Sequence, residues 1–83
     1  MTKIERIQTG VRMEKRLLKV LKGLAEYLDL SLGELLEGMT LHAFEGKAPF
    51  SRETLKKIDH LKAVYDLQLS AVECHALVEE SHK

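Results

Sequence analysis

The sequence predicts a mainly α-helical fold with one short N-terminal strand, which pairs antiparallel with the same strand of a second copy to form an intertwined homodimer. Residues 7–13 alternate between apolar and other side chains, whereas the residues after Glu14 follow the three- and four-residue spacing of an amphipathic helix. At 83 residues the chain has room for one modest core. Because 45% of the residues are hydrophobic and only 5% are aromatic, that core must be mostly aliphatic.

The N-terminal strand is predicted from its alternation, because a strand places successive side chains on opposite faces. A lone strand cannot satisfy its own backbone N–H and C=O groups, and no other part of the sequence is typical of a strand. The same strand of a second copy, related by a twofold axis, is therefore the expected partner. The row that faces the dimer core is Ile7, Thr9, Val11 and Met13, and the outward row is Gln8, Gly10 and Arg12.

The first helix is predicted to run for about fourteen residues from Glu14, because apolar residues then recur on one helical face. Gly23 lowers the helix propensity of this segment, but a single glycine does not prevent the helix. We expect Leu17 and Leu21 to contribute to the dimer core, together with Leu36 of the next helix. The apolar face consists of Leu17, Leu18, Leu21, Leu24, Ala25 and Leu28.

Three later helices are predicted from serine caps. Ser31 and Ser70 are each followed three residues later by a glutamate, which is the capping-box pattern, and Ser51 is a third candidate cap. We therefore expect helices near residues 32–45, 52–66 and 71–81.

Gly46 and Pro49 mark the best internal boundary, because glycine commonly ends a helix and proline prevents its easy continuation. We expect an N-terminal dimerisation domain at residues 1–46. Residues 47–83 are expected to form a C-terminal helical hairpin that packs on this domain or binds a partner.

Two segments resemble the MetJ/Arc/CopG-type ribbon-helix-helix superfamily of transcriptional repressors. Residues 11–25, Val-Arg-Met-Glu-Lys-Arg-Leu-Leu-Lys-Val-Leu-Lys-Gly-Leu-Ala, are similar to its strand-to-first-helix pattern, and residues 31–36, Ser-Leu-Gly-Glu-Leu-Leu, to the start of its second helix. The resemblance covers roughly residues 6–45. It implies a strand ribbon in the DNA major groove. Gln8, Gly10 and Arg12 would then lie against base edges, where glutamine and arginine pair with adenine and guanine.

The resemblance also implies that the N-terminus of the second helix holds a DNA phosphate. The backbone N–H groups of Ser31, Leu32 and Gly33 would bind it, aided by the helix dipole. Arg6 and Lys15 are expected to add further phosphate contacts. The sequence departs from the family pattern at Gly10, at Glu14 and at Asp29, which replaces the usual glycine between the helices.

These features predict a sequence-specific, repressor-like DNA-binding regulator that acts as a homodimer. Residues 1–23 carry seven lysines and arginines against two glutamates, although the formal net charge of the whole chain is zero. One alternative is an antitoxin whose C-terminal helices bind a toxin. Another is a dimeric protein-interaction module without DNA binding, which the zero net charge, Gly10 and Glu14 favour.

The sequence gives no reason to expect an enzyme, a metal site or another cofactor. Cys74 and His75 are adjacent, so on a helix they point about 100° apart and do not share a face. No His-x3-His or Cys-x2-Cys spacing occurs among the histidines and the single cysteine. The single cysteine, the lack of a signal-peptide pattern and the lack of a long apolar run predict a cytoplasmic protein without a membrane span. The four histidines are His42, His60, His75 and His82.

Overall fold

Three α-helices of thirteen residues each form the regular framework of the chain, which the computed structural model describes over residues 1–80. In chain order they are α1 (Lys15–Tyr27), α2 (Leu32–Phe44) and α3 (Arg52–Val64), followed by a short 3-10 turn at Ala71–Glu73. Within residues 1–80 no helix is both long enough and apolar enough to cross a membrane.

Each helix begins at a side chain that accepts a hydrogen bond from a free N–H group of the first turn. The carboxylate of Glu14 accepts from the Leu17 N–H at 2.8 Å. This backbone hydrogen bond is the main reason that the pKa of Glu14 is lowered. Ser31 caps α2 and Ser51 caps α3 in the same way. Local sequence therefore determines where all three helices start.

Each helix also ends in the same way, with one residue in the left-handed backbone region. The φ angles are 58° at Asp29, 67° at Gly46 and 55° at Asp66. The backbone N–H of the residue after each of them donates a hydrogen bond to a carbonyl oxygen in the last helical turn, which is the Schellman motif. These bonds join Leu30 to Ala25 at 2.9 Å, Lys47 to His42 at 2.8 Å and Leu67 to Lys62 at 2.9 Å.

The core forms where α1 packs between α2 and α3. Leu24 is 2% exposed and lies at its centre, with Leu21 and Ala25 from the same helix and Leu35 from α2. Half-buried side chains from all three helices and the connecting loops pack around this centre: Met13, Leu28, Leu32, Leu36, Met39, Phe50, Ile58 and Leu61.

Helices α1 and α3 run antiparallel. Lys19 lies over the ring of Tyr65 at 5.9 Å, and Lys57 lies over the ring of Tyr27 at 5.2 Å, so the C-terminal end of each helix contacts the first half of its neighbour. Between these two pairs, a Cβ atom added at Gly23 would lie 3.0 Å from the Leu61 Cδ2 atom. The glycine therefore lets the two helices approach closely at the middle of their contact.

The predicted N-terminal strand, and with it the ribbon-helix-helix class, is wrong. Residues 1–80 contain three helices and no strand, and residues 1–14 have no regular secondary structure, whereas a ribbon-helix-helix fold requires a strand ribbon. The alternation places apolar side chains on one side, but a strand also needs a neighbouring strand to bond its backbone groups. No segment within residues 1–80 provides one, and Gly10 lowers the strand propensity further.

The predicted C-terminal helical hairpin is also wrong, because within residues 47–80 only its first arm, α3, is an α-helix. The helix expected near 71–81 is reduced to one 3-10 turn, and residues 74–80 contain no α-helix. The rest of that prediction, from residue 81 onward, lies outside the described residues. Val72 and Val78 are 93% and 90% exposed, so this segment buries no apolar face that could stabilise a helix.

Candidate nucleic-acid interface

The N-terminal segment, residues 4–13, lies along α2 as far as Leu41 and encloses an open groove of about 1260 Å³ with α2 and part of α1. Ile7 and Val11 line this groove and are 84% and 72% exposed. Ile4 and Leu41 extend the apolar lining at its two sides. The groove is therefore an apolar surface that one chain alone leaves open to solvent.

A bidentate ion pair joins the N-terminal segment to α2. The Nε and Nη2 atoms of Arg6 donate to the two carboxylate oxygens of Glu37, each at 2.9 Å. These hydrogen bonds, and then the attraction between the charges, raise the pKa of Arg6. The same hydrogen bonding lowers the pKa of Glu37. Arg6 thus fixes the segment to a helix that lies 31 residues away in the sequence.

The N-terminus of α2 opens into this apolar groove. The Glu34 N–H donates to the Ser31 hydroxyl at 3.1 Å, and the Ser31 N–H donates to the Glu34 carboxylate at 3.0 Å, which completes the capping box. Hydrogen bonding to the Glu34 carboxylate, first from the Ser31 backbone N–H and then from the Ser31 side chain, lowers the pKa of Glu34. The N–H groups of Leu32 and Gly33 belong to the first turn, where the helix offers no acceptor. The Glu34 charge opposes an anion at this helix end, whereas Arg6 attracts one.

A second groove, of about 990 Å³, lies between the start of α1 and the C-terminal residues. Arg12 makes an ion pair there with Glu79. Arg16 donates to the backbone oxygen of Asp66 at 3.2 Å and reaches its carboxylate at 3.4 Å. The start of α1 therefore carries its basic side chains along a surface that the C-terminal residues partly cover.

The structure divides the predicted DNA-contacting residues between these two grooves. The apolar groove contains the candidate base-contacting residues Gln8 and Gly10 and four of the candidate phosphate-binding residues, namely Arg6, Ser31, Leu32 and Gly33. The second groove contains the remaining base-contacting residue, Arg12, and the remaining phosphate-binding residue, Lys15.

The predicted dimer-core residues are likewise divided between the surface and the interior of a single chain. Leu21 is buried within the core of one chain, and Met13 and Leu36 pack against that core. The remaining members are exposed in one chain: Ile7, Thr9, Val11 and Leu17.

Sequence reasoning missed three acidic residues of this surface, because each pairs with an arginine far away in the chain. Glu37, Asp66 and Glu79 are 31, 50 and 67 residues from their arginine partners. No local spacing links such pairs, so only the folded chain reveals that each of the first three arginines has a carboxylate partner.

Among residues 1–80, no group of three or more His, Cys, Asp or Glu side chains could hold a metal ion. His42 instead contacts the Gly38 carbonyl oxygen through Nδ1 at 2.7 Å. His82, considered with the other histidines, lies outside the described residues.

Comparison with known proteins leaves the chain without a family assignment: no family model matches it, and neither a curated protein nor a solved structure matches it significantly.

Proposed function

We propose that this chain is a DNA-binding, repressor-like regulator that acts as a homodimer and presents its N-terminal segment and the start of α1 to duplex DNA. The concentration of positive charge in this part of the chain carries the proposal. Residues 1–23 have a formal charge of about +5 within a chain whose net charge is zero, and such a one-sided distribution attracts a polyanion. The basic residues are Lys3, Arg6, Arg12, Lys15, Arg16, Lys19 and Lys22.

The carboxylate partners of the arginines do not prevent DNA binding. The side chains of Arg6, Arg12 and Arg16 are 59%, 84% and 55% exposed in their ion pairs. Water screens exposed ion pairs, so they contribute little net stability. A row of DNA phosphates can therefore replace them, and the release of counterions from the DNA favours that exchange.

The candidate contacts fall into two groups. Gln8 and Arg12 are suited to base edges, because a side-chain amide matches adenine and a guanidinium matches guanine. Arg6 and Lys15 supply charge for phosphates. The N–H groups of Leu32 and Gly33 at the start of α2 supply a helix end that suits the same anion, and the Ser31 N–H becomes available only if it leaves the Glu34 carboxylate.

Homodimerisation is supported by the apolar groove. Within residues 1–80 a single chain buries only six hydrophobic side chains, while Ile4, Ile7, Val11 and Leu41 remain exposed along the groove. Small domains bury a low fraction of their surface and gain stability when a second copy covers such a face. A dimer would also place two basic N-terminal segments on one DNA duplex.

Dimerisation is tested by sedimentation equilibrium. Val11→Ser removes an apolar side chain from the groove, and Val64→Ser removes one of matched exposure, 71% against 72%, from α3. We expect the wild type and Val64→Ser to sediment as dimers and Val11→Ser to shift toward monomer. A wild type that stays monomeric at high micromolar concentration would contradict the homodimer.

DNA binding is tested by fluorescence anisotropy on a mixed-sequence duplex across a salt series. We expect the affinity of the wild type to fall linearly with salt on a log-log plot. Gln8→Ala/Arg12→Ala should bind more weakly and with a shallower slope, whereas Arg52→Ala, which removes a positive charge from α3, should stay close to the wild type. If the protein binds no duplex even at low salt, the proposal of a DNA-binding regulator fails, and the alternative of a protein-interaction module without DNA binding is left.

A second candidate function, an antitoxin, is supported by the exposed C-terminal segment. Val72, Leu77 and Val78 are 93%, 52% and 90% exposed, and residues 71–80 contain a 3-10 turn but no α-helix that would bury them. Such a segment can fold on a protein partner. Limited proteolysis should cut within residues 74–80 before it cuts the helices, and the protein product of an adjacent gene should protect these bonds. A segment as resistant as α3 in the isolated chain would contradict this function.

A further inference from the structure

The C-terminal residues 73–80, which we call the acidic tail, contrast in charge with the start of α1. They contain Glu73, Glu79 and Glu80, and no lysine or arginine occurs anywhere between residues 63 and 80. The acidic tail therefore has the opposite charge to the basic surface proposed to bind DNA.

The acidic tail lies against that basic surface. It lines the second groove together with residues 12–16, and within this groove Glu79 pairs with Arg12. Leu77 and Val78 line the same groove as Met13 and Leu69, so apolar side chains accompany the ion pair. The tail therefore occupies the space through which DNA would have to approach Arg12.

The Arg12 partner differs from the partners of the other two arginines. Arg6 is held by Glu37, which belongs to α2, and Arg16 is held by Asp66, which occupies the left-handed turn after α3. Glu79 belongs instead to a segment without regular structure. It can leave Arg12 together with its whole segment, whereas the backbones of Glu37 and Asp66 stay in the helical framework and only their exposed side chains can rotate away.

We propose that the acidic tail is an intramolecular mask: it occupies Arg12 in the free protein and must be displaced when the basic surface binds a polyanion. This inference rests on the proposed DNA-binding function and adds a mode of regulation to it. The mask lowers the affinity for DNA by competing for the same guanidinium. Its strength falls with salt, because screening weakens the exposed Arg12–Glu79 pair.

The position of the tail can be measured without DNA, because Cys74 is the single cysteine of the chain and is exposed. A nitroxide spin label on Cys74 should broaden the NMR amide signals of residues 12–16 in wild-type protein. Glu79→Gln/Glu80→Gln should reduce that broadening. Glu53→Gln/Asp59→Asn, which removes two exposed charges from α3, should leave it unchanged. Each labelled protein is diluted with unlabelled protein so that only effects within one chain are observed.

The effect on binding is measured by anisotropy with the same variants and a mixed-sequence duplex. Glu79→Gln/Glu80→Gln should bind about two- to fivefold more tightly than Glu53→Gln/Asp59→Asn, which is the range expected for the loss of one weak exposed ion pair. The two variants change the net charge equally, so a difference between them reports the position of the charges. Adding duplex to the spin-labelled wild type should remove the broadening at residues 12–16.

The outcomes separate the mask from the DNA-binding proposal. If DNA binds but the spin label never broadens residues 12–16, or if both double variants bind alike, the mask is wrong and the DNA-binding function stands. If the label broadens these residues but no variant binds duplex, the DNA-binding proposal fails and the tail masks nothing. Two results together support both the mask and the DNA-binding function: duplex removes the broadening, and Glu79→Gln/Glu80→Gln binds duplex more tightly.

Discussion

The start of α2 and the 3-10 turn at Ala71–Glu73 share a local sequence pattern but differ in structure. Ser31 and Ser70 are each preceded by a leucine and followed three residues later by a glutamate. After Ser31 the chain forms a helix of thirteen residues, whereas after Ser70 it forms a 3-10 turn of three. At Ser70 the hydroxyl donates to the Glu73 carboxylate, whereas the Ser31 hydroxyl accepts from the Glu34 N–H.

The difference lies in the residues after the cap. α2 buries Leu35 to 3% exposure and packs Leu32, Leu36 and Met39 around the core, whereas all residues from 70 to 80 are exposed. A capping box satisfies two free N–H groups, but a short helix in water also needs a buried face, because nucleation is unfavourable. The cap therefore sets where a helix can begin, and packing decides whether it forms.

Removing the buried face of α2 should have the largest effect. We expect Leu35→Ala to lower the free energy of unfolding by about 2–5 kcal/mol, because it leaves a cavity in the core. Val72→Ala, in the turn after Ser70, should change it by less than about 0.5 kcal/mol because Val72 is 93% exposed. Urea denaturation followed by circular dichroism measures both. Equal effects would show that packing does not distinguish the two segments.

Removing the serine side chains at the two caps should change the free energy of unfolding less than Leu35→Ala does. Ser31→Ala removes a hydrogen-bond acceptor from the first turn of α2 and should cost about 1 kcal/mol. Ser70→Ala should be almost neutral, because its turn stabilises no helix. The same urea experiment compares the two variants. A cost at Ser70 equal to that at Ser31 would show that the 3-10 turn after Ser70 contributes to folding stability.

The helix ends provide a third comparison, in which a substitution should stabilise the protein. Asp29 and Asp66 both adopt left-handed backbone angles that glycine adopts without strain. Asp29→Gly should raise the free energy of unfolding by about 0.5–1 kcal/mol. Asp66→Gly should raise the free energy of unfolding by less, because it also loses the hydrogen bond from Gln68 and the contact with Arg16. A gain at Asp66 larger than that at Asp29 would contradict this reasoning.

The smallest effect concerns the attachment of the N-terminal segment at acid pH. The pKa of Glu37 is lowered by its hydrogen bonds with Arg6, so the pair stabilises attachment above the ordinary glutamate pKa. That contribution is lost as the pH falls through the depressed pKa. The Ile7 amide signal should therefore shift in this acid range. Glu37→Gln should abolish the shift at Ile7 and keep the separate transition at Leu17, whose N–H bonds to Glu14.

Much of the helical framework could be predicted from the sequence, because its signals are local. The helices expected near 32–45 and 52–66 begin at the residues that the serine caps indicate and end within one or two residues of the predicted positions. Gly46 ends α2 in the left-handed conformation that glycine favours. Asp29 and Asp66 complete the same motif at the other two helix ends, although the sequence marks only Asp29 as a replacement for glycine.

The other features depend on contacts between distant parts of the chain. Alternation in residues 7–13 could not reveal whether a neighbouring strand exists, so the strand and the fold class built on it were wrong. The capping box at Ser70 could not reveal that no core lies beneath residues 71–80. The arginine–carboxylate pairs of the candidate interface join residues more than thirty positions apart, and sequence spacing holds no information about them.

The two lysine–tyrosine contacts between α1 and α3 have a consequence for how this protein can be observed. The chain has two tyrosines and no tryptophan, and both tyrosines lie at the ends of this single helix pair. Tyrosine absorbance and fluorescence will therefore report on the α1–α3 contact and will not report directly on α2 or the acidic tail. A transition followed at 280 nm and one followed by far-ultraviolet circular dichroism are two separate measurements on this molecule, and their coincidence would show that all three helices unfold as one unit.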